Sequence, residues 1–241
     1  MNRLALMVLK NIWKIPGVYS KLCRYANHVE DYPEAERYAH IQHIVRLAVS
    51  AGNVDVQVHG TEQIPQEDGV LFYGNHQGMF DVLAFAATCD KPIGAVFKKE
   101  LDRGYPLIKQ VITCTNSFAM DREDVRQSLT VIQNVTEEVL KGRNYLIFPE
   151  GTRSKNGNRM GEFHAGSFRC AVKSKCPVIP VAFIDSHKVL DQKGSDPISM
   201  EIHYLPAIAY EEYAGMKTGE LAELVKSRIA EKIAERTGEK Q

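Results

Sequence analysis

His76 is followed five positions later by Asp81 in the stretch "GNHQGMFD", directly after the apolar run Val70 to Phe72. A carboxylate on one imidazole nitrogen fixes the tautomer and raises the basicity of the ring, which leaves the other nitrogen free to take a proton from a hydroxyl. That is two thirds of a nucleophilic triad, and the remaining third is missing. No GxSxG elbow occurs, and Ser167 in "HAGSF" lacks the flanking glycine pattern. A base in this setting would act directly on a substrate hydroxyl. On spacing alone the pair also reads as an ordinary structural hydrogen bond, or as two ligands of a metal.

A second constellation is "FPEGTRS", residues 148 to 154. Gly151 lets backbone approach a ligand, Arg153 offers a planar fork suited to phosphate, and Thr152 and Ser154 add hydroxyl donors. Glu150 would hold the arginine or a substrate hydroxyl. A surface turn with an ion pair accounts for the same residues. Arg122 in "AMDRED" is another arginine, with Asp121 beside it to orient it, and Lys98 and Lys99 lie in "FKKEL". Converging at one edge, these cations would suit a phosphomonoester; taken separately, "FKKEL" is a solvated helix start.

These residues need a frame that brings them together. From residue 54 short β-rich runs alternate with helical patterns. Strands are expected at 54–58, 70–73, 93–97, 117–120, 145–148, 178–183 and 200–205, and helices at 79–88, 101–112, 124–140, 166–174 and 218–236. The helix from Asp124 is the clearest, with Val125, Leu129, Ile132, Val135 and Val139 on one face and Lys141–Gly142 closing it. Such alternation predicts an α/β fold with a largely parallel central sheet flanked by helices. Ligands of these sheets bind beyond the carboxyl ends of the strands, so the loops 74–81, 121–124 and 149–166 are the informative ones.

Before that frame, two helices are expected, the second over 33–49. From Met1 to Tyr25 the chain carries Arg3, Lys10, Lys14, Lys21 and Arg24 with no acid, interleaved with apolar residues and its single tryptophan, Trp13. On a helix Arg3, Lys10 and Lys14 fall on one face and Leu4, Met7, Val8, Ile12 and Ile15 on another. A basic amphipathic helix of this kind reads as an in-plane membrane anchor, or as a helix packed on the body. The division is therefore 1–50, an amphipathic helical pair for membrane docking, and 51–241, the α/β domain.

Composition narrows the classes. Thirty basic residues balance 30 acidic ones, which argues against a nucleic-acid partner bound through whole-surface charge. The five cysteines are odd in number and form no CxxC, against a disulfide framework or structural zinc. No apolar stretch reaches the roughly 18 residues that span a bilayer. His40 and His43 have no third ligand at sensible spacing, so they belong to a helix surface.

His76 and Asp81 in "NHQGMFD", Arg122 in "SFAMDR", "FPEGTRS", and "VIPVAF" at 178 to 183 resemble the four successive blocks of the glycerolipid acyltransferases, above all bacterial 1-acyl-glycerol-3-phosphate acyltransferases. Order and spacing match over roughly residues 54 to 205, and "FKKEL" falls at the family's lysine block. The resemblance implies transfer of a fatty acyl group from acyl carrier protein or coenzyme A thioester to the sn-2 hydroxyl of lysophosphatidic acid, giving phosphatidic acid. It implies no metal and no cofactor besides the thioester co-substrate. His76 would be general base and Asp81 its orienter, without an acyl-enzyme. Arg122 and Arg153 would hold the acceptor phosphate, with Glu150, Gly151 and Thr152 shaping the acceptor site and Lys98 nearby. It also implies a monotopic or peripheral protein at the cytoplasmic face of the cell membrane.

The chain departs from the family pattern at Asn116, where the second block usually opens with glycine, at Ala119–Met120 in place of Phe-Ile, and at His164, where a lysine is frequent. These bear on acceptor identity and chain length more than on the chemistry. Rival readings are the same transfer onto glycerol 3-phosphate or another lysophospholipid, a non-catalytic membrane-docking protein, and a metal-dependent phosphoesterase. The short chain without a large N-terminal domain favours lysophosphatidic acid. The phosphoesterase lacks all but two of its usual four or so ligands.

Overall fold

The computed structural model describes residues 2–101, 106–192 and 194–239. Seven strands form one sheet in the order β1-β7-β6-β2-β5-β3-β4: β1 Val54–His59, β2 Leu71–Gly74, β3 Ile93–Lys98, β4 Phe118–Met120, β5 Asn144–Ile147, β6 Val178–Ile184 and β7 Ile198–Tyr204. Every pairing is parallel except β6 with β7. This is the α/β class expected from the sequence. The central strands β2, β5 and β6 are buried along their whole length, which is why they read as unbroken apolar runs and not as alternating ones.

Helices cover the two faces. Against one pack α4 (Phe80–Thr88) and α3 (Glu34–Ala51), around Phe72, Phe85, Phe183 and Tyr204. Phe85 is fully buried and edge-on to Phe72 at 5.1 Å, so its truncation to alanine would cost about 3–5 kcal/mol. Against the other face pack α6 (Val125–Leu140), α7 (Arg169–Ser174) and α10 (Thr218–Thr237). The short helices α8 (Ser186–Asp191) and α9 (Tyr210–Tyr213) complete the fold. The helix expected over 101–112 is seen as α5, Pro106–Cys114; residues 102–105 of the expected range lie outside the described residues.

The N-terminal region differs from the expectation first in that its first helix is broken. α1 runs Arg3–Lys10 and α2 Ile15–Asn27. Pro16 lacks an amide hydrogen, so it sits in the first turn of a new helix, where none is needed. Asn11 secures the break by donating through Nδ2 to the carbonyls of Met7 and Leu47, at 3.0 and 3.1 Å. The two faces of α1 also divide differently. Arg3, Leu6 and Met7 are buried, and the Arg3 guanidinium donates to the Gly52 carbonyl at 2.6 Å. Leu4, Val8, Leu9, Ile12, Trp13 and Ile15 are left on the outside, with Trp13 94% exposed.

α3 binds this region to the rest. Its Gln42 and Arg46 donate to the carbonyls of Ala86, Cys89 and Ala87, satisfying the open end of α4. Met7 and Tyr38 lie in the same core cluster as Phe72 and Phe183, so the core runs across the boundary at residue 50. Asn116, where the family's pattern has glycine, stands at φ 51°. Asparagine is among the side chains that best tolerate that left-handed position.

Candidate active site

Because β2, β5, β3 and β4 are parallel neighbours, their carboxyl ends share one edge of the sheet. The His76 loop leaves β2 and the Glu150–Arg153 loop leaves the adjacent β5. Lys98 ends β3, and Arg122 follows β4. Arg122 therefore stands three strands out from β2, about 14 Å at the usual inter-strand spacing of about 4.8 Å.

The path of the β2 loop is set atom by atom. At Gly74 a Cβ would stand 2.6 Å from the Phe183 ring, so only glycine lets the chain pass this close to β6. Asn75 then pairs with the backbone of Phe183 in both directions, donating at 2.9 Å and accepting at 2.7 Å. The amide of His76 donates to Glu150 at 2.7 Å, and its carbonyl accepts from the amide of Ser154 at 2.9 Å. Its ring lies over that of Phe148, with centroids 4.3 Å apart and planes 27° from parallel. The imidazole is thus held by its own backbone and one face, with 16% of the side chain exposed.

Asp81 occupies the first turn of α4, where the helix dipole favours a negative charge. It is fully buried. Its Oδ2 meets Nδ1 of His76 at 2.7 Å and accepts from the amides of Gln77 and Gly78 at 2.7 and 3.0 Å. Its Oδ1 accepts from the hydroxyl of Ser186. The amides of Gln77 and Gly78 can only donate to this carboxylate, and the tautomer that suits the pair has Nδ1 of His76 donating to it as well. Nε2 then presents its lone pair outward as a base. Among the described residues, no serine, threonine or cysteine side chain is hydrogen-bonded to this ring.

The third block is arranged differently from the expectation. Glu150 does not hold Arg153: its carboxylate accepts from the amides of His76 and Gly161, at 2.7 and 2.8 Å. Burial pushes this carboxyl above the usual range, against the pull of the two amides. It ties the two loops together, and a Cβ at Gly161 would come within 3.0 Å of it. Gly151 turns at φ 66°, with the His164 ring 3.2 Å from where its Cβ would be. Thr152 and Arg153 are exposed, and no ion pair engages Arg153 among the described residues.

The outer cations are likewise at the surface. Lys98 is half-exposed and pairs with Glu100 at 3.3 Å. Arg122 is exposed; desolvation lowers its guanidinium from the usual value, opposed by Glu100. Asp121 pairs with Lys99 and not with Arg122. Of the expected site residues, the structure joins His76, Asp81 and Glu150 in one hydrogen-bonded unit; Gly151, Thr152, Arg153, Lys98 and Arg122 lie at the same carboxyl edge of the sheet without joining that unit. Sequence reasoning missed Ser186, Gln77 and Asn158. Gln77 donates to Asn158 at 2.9 Å and to the Phe183 carbonyl at 2.8 Å, bracing the loop from beneath.

Fold and site together define an α/β protein that sets an oriented histidine–aspartate pair at the carboxyl edge of its sheet. The chain belongs to the Acyltransferase family, whose model matches residues 55–184, more than half its length. It is 24% identical to a 1-acyl-sn-glycerol-3-phosphate acyltransferase of Borreliella burgdorferi over 78% of this chain and 76% of that protein. It is 28% identical to the Salmonella typhimurium protein of that name, over 68% and 67%. It also matches a chloroplastic relative from Brassica napus, of which it spans half. Its fold is that of the 1-acyl-sn-glycerophosphate (LPA) acyltransferase crystal structure from Thermotoga maritima, with a TM-score of 0.79 over 99% of this chain and 98% of that one, at 20% identity.

Proposed function

We propose that this acyltransferase moves a fatty acyl group from an acyl carrier protein or coenzyme A thioester to the sn-2 hydroxyl of lysophosphatidic acid. Nε2 of His76 takes the hydroxyl proton as the oxygen attacks the thioester carbonyl. The tetrahedral intermediate collapses with cleavage of the C–S bond, and the imidazolium returns its proton to the departing thiolate. Asp81 stabilises that imidazolium. The single observation that carries the reading is the His76–Asp81 contact at 2.7 Å, with no hydrogen-bond partner or nucleophile on the other ring nitrogen among the described residues. The acceptor class rests on the names of the relatives and on two exposed arginines, Arg122 and Arg153, at the same sheet edge.

The exposed apolar corner of α1 and α2 supports docking on a membrane surface. Leu4, Val8, Leu9, Ile12, Trp13 and Ile15 are exposed, and Lys14 and Lys21 line a groove beside Trp13 and His43 of about 400 Å³. No residue of the His76 loop lines that groove. No helix among the described residues is long and apolar enough to cross a membrane, so attachment would be monotopic or peripheral, at the cytoplasmic face on this reading. Burying five or six such side chains at up to about 1.5 kcal/mol each suffices for reversible binding.

The test is to incubate purified protein with labelled lysophosphatidic acid and palmitoyl carrier protein or palmitoyl coenzyme A. Labelled phosphatidic acid is expected with at least one donor. Transfer only to acceptors lacking the phosphate would overturn the acceptor assignment.

A further inference from the structure

Ser186 lies in the first turn of α8, 105 residues from Asp81 in sequence, with 1% of its surface exposed. Its hydroxyl has two acceptors within reach, Oδ1 of Asp81 and Oε1 of Gln77, the latter at 3.1 Å. One proton cannot serve both, and the charged acceptor takes it. The donor count on Asp81 is lopsided. Among the described residues, Oδ2 serves His76, Gln77 and Gly78, whereas Oδ1 accepts from Ser186 alone, and the side chain is fully buried. Removing Ser186 would leave a buried anionic oxygen without a partner and the carboxylate free to turn about its Cβ–Cγ bond.

Ser186 is itself held with some rigour. Asp185 stands at φ 63°, a left-handed conformation that non-glycine residues rarely adopt. Asn158 secures that turn by accepting from the amide of Asp185 and donating to its carboxylate, both at 2.9 Å. The same Asn158 accepts from Gln77 at 2.9 Å. The β2 loop, the β5 loop and the end of β6 are thereby locked around one carboxylate.

We infer that Ser186 is a positioning residue, which fixes the rotation of the Asp81 carboxylate and so the aim and basicity of His76. This rests on the reading of His76 as general base, and its test has one arm that needs no substrate. In Ser186→Ala the Asp81 anion, short of one donor, pulls harder on the imidazolium. The NMR titration midpoint of the His76 ring, assigned by its absence in His76→Ala, is expected to move up by several tenths of a pH unit relative to the unmodified protein. In the transfer assay kcat falls about tenfold to a hundredfold, because the lost aim of the ring outweighs the stronger pull on the imidazolium. KM stays within about twofold, and the acid limb of the pH–rate profile moves up with the ring. Ser186→Cys, of nearly the same shape with a weaker donor, gives a smaller displacement of the same sign and serves if the alanine variant does not fold. An unmoved midpoint in either folded variant overturns the inference, even if the rate falls. A moved midpoint in a protein that does not acylate lysophosphatidic acid upholds it and refutes the acceptor assignment instead.

Discussion

Replacing Asp81 by asparagine separates charge from geometry at this site. The amide oxygen can occupy the place of Oδ2 and still accept from His76, Gln77 and Gly78, while the amide nitrogen faces Ser186, whose hydroxyl can turn to accept. The fold and the ring orientation should persist. What disappears is the negative charge beside the ring. Charge centres about 4 Å apart at an effective dielectric of about 20 interact by about 4 kcal/mol. If half to all of the imidazolium charge has developed in the transition state, about 2–4 kcal/mol of stabilisation is lost, or about 30-fold to 10³-fold in kcat. The assay is thiol release from palmitoyl coenzyme A, or from palmitoyl carrier protein, with saturating lysophosphatidic acid. KM for the acceptor should change little, because the charge acts mainly on the transition state. A folded Asp81→Asn variant with kcat within threefold of the unmodified protein would refute the reasoning, since Asp81 would then hold the loop and nothing more.

Three further outcomes follow from other parts of the molecule. Burial pushes the thiols of Cys89, Cys114 and Cys176 up to about 11 and that of Cys170 up to about 12; a maleimide added to native protein at pH 7 should label only the half-buried Cys23, and unfolding should open the other four. The Arg236 guanidinium, helped by His203, holds the Glu201 carboxyl down to about 2 from the ordinary 4.5. A lowered acid stabilises the fold above 4.5 and loses that contribution as pH falls towards 2, so Glu201→Gln should be less stable at pH 7 by urea denaturation, with the gap closing across that window; a gap that does not depend on pH would contradict the assignment. Replacing Ile12 and Trp13 together by serine should reduce sedimentation with anionic phospholipid vesicles several-fold while leaving thermal stability unchanged, as both side chains are exposed; a stability loss would mean they pack on the body.

The sheet was legible because its central strands are buried on both faces, so Val70–Tyr73, Tyr145–Phe148 and Val178–Phe183 announce themselves by composition. The helix from Asp124 was legible through Ile132, Val135 and Val139, which are buried on one face, whereas Val125 and Leu129, read onto the same face, are exposed. The break at Pro16 carried a signal that the charge pattern overrode: a proline cannot sit in the interior of a single helix over residues 3 to 27. Arg3 and Met7 were misassigned because α1 presents them to α3, a tertiary fact that amphipathic spacing cannot supply. His76 and Asp81 were found because they are local. Ser186 and Asn158 were not, since each reaches the site across a long loop closure. The partners of Glu150 and Asp121 differ from those expected because Arg153 and Arg122 are exposed, while the amides of His76 and Gly161 reach Glu150 and Lys99 reaches Asp121.

The central claim is that one oriented imidazole removes the acceptor's proton. Its most direct test is the turnover of purified His76→Ala against that of the unmodified protein, on lysophosphatidic acid with a palmitoyl thioester. A positioned general base contributes about 10²–10⁴-fold, so kcat should fall by at least about 10²-fold, with folding and vesicle binding intact. A variant that keeps more than a tenth of the original turnover would contradict the account.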